Sequence, residues 1–150
     1  MSVEQLYQEI ILDHYRVKRN AGLRDPYDVE VHHVNPSCGD ELTLRVDVVD
    51  GTISDVSYDA QGCSISQAST SVMSDLVIGG SSEHALELFD GFQRMIQGQG
   101  KVSLDEETYG DAVAFEGVAQ FPARVKCAML GWSAMRDALL RVQAGVKEES

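Results

Sequence analysis

The sequence predicts an α+β fold, a three-stranded antiparallel sheet with helices packed on one face, and three observations predict it. Apolar residues near the N-terminus recur at helical spacing. Between residues 29 and 60 the period drops to two, in three short runs separated by turn residues. From Ser64 onward the helical period returns, with no further alternating run between the helices. Strands grouped together and followed by helices, rather than strand and helix in alternation, specify an antiparallel sheet with helices on one side.

Each element follows from its own pattern. Leu6, Tyr7, Ile10, Ile11 and His14 form a stripe on a first helix, which Asn20-Ala21-Gly22 stops. His14 on that stripe is expected to be a hydrogen-bonded histidine at the core edge rather than a ligand. Val29, Val31 and His33 alternate up to the break at Asn35-Pro36; Leu42, Leu44, Val46 and Val48 alternate again; Asp50-Gly51 is a hairpin turn, and Val56, Tyr58 and Ala60 complete a third strand. Clean alternation implies one buried and one wet face. Ile65, Ala68, Val72, Leu76 and Val77 line a helix stopped by Gly79-Gly80, and Ser81 or Ser82 caps another whose inner face is Leu86, Phe89, Phe92 and Ile96. Residues 98–121 carry several glycines and the acidic cluster Asp105-Glu106-Glu107, and predict a solvated loop with at most a helical turn. Pro122 starts a last helix reaching about Gly145, with Val125, Met129, Trp132, Met135 and Leu139 on its apolar stripe. Cys127 falls on a different face with Gly131, Ala134 and Ala138, small residues along which another backbone can approach.

The 150 residues suit one domain, 1–150. A net charge of −12 makes nucleic acid an improbable partner, because phosphate binding needs clustered Lys and Arg. No apolar run approaches the length of a membrane span, and MSVEQLYQEI lacks the basic start of a signal peptide. The expected location is the cytoplasm, with no membrane partner.

Three cysteines in a reducing compartment do not make a disulfide framework, which leaves burial, thiol chemistry or metal binding. Cys38 sits in the turn between the first two strands, Cys63 where the third strand gives way to a helix, and Cys127 in the first turns of the last helix. Element ends along one sheet edge can converge, and helix N-termini favour anions such as thiolates. Convergence would assemble three sulfurs and the Asp40 carboxylate, a four-donor set that suits tetrahedral Zn²⁺ and also permits an iron–sulfur cluster. No C-x₂-C pair decides between these outcomes. His32 and His33 point to opposite faces of their strand, and His84 opens a helix; all three are expected to be structural or surface residues.

Taken together, "NPSCGD", "GCSISQAST" and "RVKCAML" resemble the IscU/SufU superfamily (NifU N-terminal-like) of iron–sulfur biogenesis proteins, over nearly the whole chain from LYQEIILDHY onward. Within it the SufU branch is most similar. Lys126 stands where IscU-type scaffolds carry a histidine before the third cysteine, and residues 98–122 resemble the SufU insertion. The resemblance implies a zinc-dependent sulfurtransferase that takes persulfide sulfur from a SufS-type cysteine desulfurase for a downstream Suf cluster scaffold. It implies Cys38, Asp40, Cys63 and Cys127 as zinc ligands, Cys38 as the sulfur acceptor, and a role beside the site for Arg124. A scaffold holding a [2Fe–2S] cluster on the same cysteines is the alternative.

Overall fold

The computed structural model describes residues 2–37 and 39–145, so Cys38 lies outside the described residues. Helix α1 (Val3–Val17) starts in a capping box, in which the Ser2 hydroxyl accepts the Gln5 amide and the Gln5 side chain accepts the Ser2 amide, each at 3.2 Å. It ends earlier than Asn20, at Lys18, whose φ of 49° is left-handed. The stripe on α1 is less buried than its spacing suggests. Leu6 is 45% exposed, Tyr7, Ile10 and Ile11 are half-buried, and His14 is the one fully buried residue of the helix.

The sheet has the order β1-β2-β3 and is antiparallel throughout, with β1 at Val29–Asn35, β2 at Asp40–Val49 and β3 at Thr52–Gln61. Asp50 and Gly51 have φ of 51° and 78°, the doubly left-handed turn that matches strand twist in a two-residue hairpin. Val29, Val31, Leu42, Leu44, Val46, Ile53, Val56 and Tyr58 form the buried face. Burial pushes the Tyr58 phenol up to about 12, and its hydroxyl donates to the Arg19 carbonyl at 2.8 Å.

Helix α2 (Ser64–Val77) differs from the one-sided helix expected. Ala68, Val72 and Val77 are buried as foreseen, Ile65 and Leu76 only half so, and Ser66, Ser69, Thr70, Ser71 and Ser74 are buried as well. It packs against α1 on one side and against α5 (Pro122–Gln143) on the other. Buried hydroxyls need partners. Ser69 donates to the Ala128 carbonyl of α5 at 2.7 Å, Thr70 to Ser66 at 2.8 Å and Ser74 to Ser71 at 2.8 Å.

Helix α3 (Ser82–Ile96) is capped by Ser81, which accepts the His84 amide at 3.0 Å, and it buries Leu88, Phe89, Phe92, Met95 and Ile96, while Leu86 is only half-buried. Phe92 stacks on Trp132 of α5 at 4.4 Å. The segment expected to be a loop is instead ordered. A short helix α4 (Glu106–Tyr109) leads into a 3₁₀ segment, Gly110–Gln120, that buries Ala112, Val113, Ala114, Phe115, Val118 and Ala119. Phe115 meets Phe92 edge-on at 6.1 Å, while Asp105, Glu106 and Glu107 stay exposed. Helix α5 covers β1 and β2 on the buried face, and no helix among the described residues is long and apolar enough to cross a membrane.

His14 joins three elements. Its Nδ1 lies 2.8 Å from Ser71 Oγ on α2 and its Nε2 2.8 Å from Asp111 Oδ2 on the 3₁₀ segment. With so little else of α1 buried, His14→Ala is expected to destabilise the fold by about 2 kcal/mol through a void and lost hydrogen bonds. Thermal unfolding measures the loss, and hydrogen exchange of the α1 amides should accelerate more than that of α3. Equal protection of α1 in both proteins would show that His14 is not what seats the helix.

Candidate metal centre

One corner of the fold collects the chemistry. Asp40 is the first residue of β2 and is fully buried. Cys63 follows β3 and is the N-cap of α2; its extended backbone (φ −71°, ψ 164°) turns the chain from strand to helix. Cys127 lies on the second turn of α5 and is 2% exposed. A ligand atom from each of Asp40, Cys63 and Cys127 lies within 4.8 Å of the others. Tetrahedral thiolate ligands around zinc stand roughly 3.8 Å apart, so a metal would require only a small contraction.

The local bonds explain how the carboxylate is aimed. Asp40 Oδ1 accepts the Cys63 amide at 2.8 Å, and Oδ2 lies 3.6 Å from the Cys63 thiol. Gly62 makes that approach possible: its φ is 140°, and a Cβ there would stand 2.9 Å from Asp40 Cα and run into the carboxylate. The Cys63 thiol also faces Ser66 Oγ at 3.8 Å, and the Cys127 thiol donates to the Ala123 carbonyl at 3.6 Å. Among the described residues this buried carboxylate is met by one amide and one thiol and by no ion-pair partner. Two thiols and this carboxylate form a donor set that a soft divalent cation completes, and the residues present therefore fit zinc or iron.

Among the described residues no histidine joins this group. Arg124 is exposed in the first turn of α5, and Lys126 is also exposed. His33 Nε2 bonds Asp137 Oδ2 of α5 at 2.9 Å; burial alone would raise the Asp137 carboxyl, yet His33 and Arg141 outweigh it and hold it below its usual range. His32 Nδ1 lies 2.9 Å from Thr43 Oγ1 on the wet face, and His84 is exposed. Gly62 carries no site signal in the sequence, where a glycine after a strand reads only as a chain breaker.

Comparisons with known proteins agree with this architecture. Residues 6–128 match the NifU-like N terminal domain. A relative from Streptococcus pyogenes named an iron–sulfur cluster assembly scaffold protein IscU is 40% identical over 93% of this chain and 86% of its own. The zinc-dependent sulfurtransferase SufU of Bacillus subtilis is 37% identical over 96% of each chain. A solved structure from Fervidobacterium islandicum, described as a candidate cluster assembly scaffold of the SUF system, superposes with a TM-score of 0.81 at 35% identity, over 91% of this chain and 98% of that one. With the sheet, the helices and the Asp40–Cys63–Cys127 corner in place, the chain belongs to the NifU-like N-terminal domain family, among relatives named IscU and SufU.

Proposed function

We propose that the chain, working as one domain, is a zinc-dependent sulfurtransferase that accepts persulfide sulfur from a SufS-type cysteine desulfurase on Cys38 and passes it to iron–sulfur cluster assembly. The observation that carries this reading is the convergence of Asp40, Cys63 and Cys127, in a chain similar along 96% of its length to a relative named a zinc-dependent sulfurtransferase. Cys38, Asp40, Cys63 and Cys127 would hold the zinc, which when bound keeps thiols deprotonated and shielded from oxidation.

The remaining chemistry belongs to the chain. The Cys38 thiolate attacks the outer sulfur of the desulfurase persulfide; the donor's S–S bond breaks, a new one forms on Cys38, and the electron pair leaves with the desulfurase thiolate. No external oxidant or reductant is needed. The Cys63 amide holds the Asp40 carboxylate in place throughout. Arg124, exposed three residues before Cys127, is the side chain assigned to meet the incoming anionic persulfide. A net charge of −12 suits a partner with a basic docking face.

A second reading has its own support, since relatives such as the Streptococcus pyogenes protein are named cluster scaffolds, and three thiolates with one carboxylate also suit a [2Fe–2S] cluster. Elemental analysis of anaerobically purified protein, joined to sulfide release from cysteine by a SufS-type desulfurase with and without it, separates the two. About one zinc per chain with strong stimulation supports the transferase. Iron with labile sulfide supports the scaffold, and zinc without stimulation reduces the site to a structural one.

A further inference from the structure

Asn35 carries a hydrogen-bond donor that the described residues leave unused. It is the last residue of β1, it is 8% exposed, and its Oδ1 accepts the Ser37 amide at 3.2 Å. That bond fixes which way the amide group faces, so the position of Nδ2 is set. Nδ2 is buried with no acceptor among the described residues. A buried donor left unpaired costs about 1–3 kcal/mol, so such groups in native folds usually have a purpose.

The register names the acceptor. Asn35 pairs directly with Asp40 at the end of the β1–β2 ladder, and directly opposed residues send their side chains to the same face with Cβ atoms about 5 Å apart. An orphan donor therefore shares a face with the fully buried Asp40 carboxylate, which among the described residues is engaged by the Cys63 amide and thiol and has lone pairs to spare. We infer that Asn35 is a positioning residue of the metal centre, whose Nδ2–H is reserved for the Asp40 carboxylate when that group holds a metal. The inference rests on the metal reading above. Carboxylates that ligate metals are themselves hydrogen-bonded, and losing such an outer partner typically weakens metal binding about 10–100-fold.

Zinc affinity of the full chain, measured by chelator competition, tests this in a double-mutant cycle. Asn35→Ser keeps an oxygen that can accept the Ser37 amide, and with it the turn, but removes the Nδ2 donor. Asn35→Thr does the same with a strand-favouring side chain, should the serine variant fold poorly. The expected result is a loss of about 10-fold or more in zinc affinity in the unaltered background and less than about twofold in Asp40→Ala, where the donor has no carboxylate to hold. The absorption of the Co²⁺-loaded protein should change with Asn35→Ser only while Asp40 is present. Equal losses in both backgrounds would reduce Asn35 to a turn former, and no loss in the unaltered background would leave its donor idle; either overturns the inference while the metal reading stands. Failure of the unaltered chain to bind zinc would overturn both.

Discussion

Cys38→Ser is expected to leave a folded chain that no longer stimulates the desulfurase. The thiolate is the nucleophile in sulfur exchange, and a serine hydroxyl neither ionises near neutral pH nor accepts sulfur to form a persulfide. Sulfide release in the presence of the variant is expected to fall to the rate of the desulfurase alone, with the stimulated component reduced at least about 100-fold, as for loss of a nucleophile in general. Folding should be nearly untouched, because the core is built from the sheet face and from α2, α3 and α5. Zinc should be retained at lower affinity, since Asp40, Cys63 and Cys127 still converge. The contrast lies with Cys127→Ser, in which a 2% exposed side chain is changed: metal, stability and activity should fall together. Full stimulation by the Cys38→Ser protein would remove Cys38 as acceptor and send the search to Cys63.

Alternation along β1, β2 and β3 is a direct imprint of a half-buried sheet, and Asp50-Gly51 has few conformations besides the turn it adopts. The same logic placed Asp40, Cys63 and Cys127 at the ends of elements, where they converge. Elsewhere the binary pattern misleads. Ser66, Ser69, Thr70, Ser71 and Ser74 resemble the wet face of α2, yet their hydroxyls are small enough to enter the core and find acceptors there. The glycines and acidic residues of 98–121 suggest a loop, and only Phe92, supplied from α3, reveals why Phe115 and its alanine neighbours are buried. The stripe on α1 is real but half open, and His14 is the residue on it that bonds both α2 and the 3₁₀ segment. Asn35 was legible only as the residue before a proline; its orphan amide exists by virtue of cross-strand register.

The small-residue face of α5 is where sequence and packing meet most closely, and it leads to the second large effect. Gly131→Val is expected to destabilise the fold by about 3 kcal/mol, the upper end for forcing extra volume into a packed core. A Cβ at Gly131 would stand 3.1 Å from Thr70 Cα and 2.9 Å from Thr70 Cβ, so the obstacle is partly the backbone of α2 and cannot rotate away. The helices would have to separate, breaking the Ser69 bond to the Ala128 carbonyl. Cys63 caps α2 and Cys127 lies one turn, about 6 Å, before Gly131 on α5, so the same separation pulls two of the three converging ligand groups apart. Denaturant midpoints of the metal-free protein measure the first effect and chelator competition the second, and both should fall together. Gly131→Ala combined with Thr70→Gly, which removes the side chain the new Cβ meets, should lose less than the sum of the two single changes. Strictly additive losses would place the cause outside this contact, and an unchanged midpoint for Gly131→Val would show that α2 and α5 have room to spare.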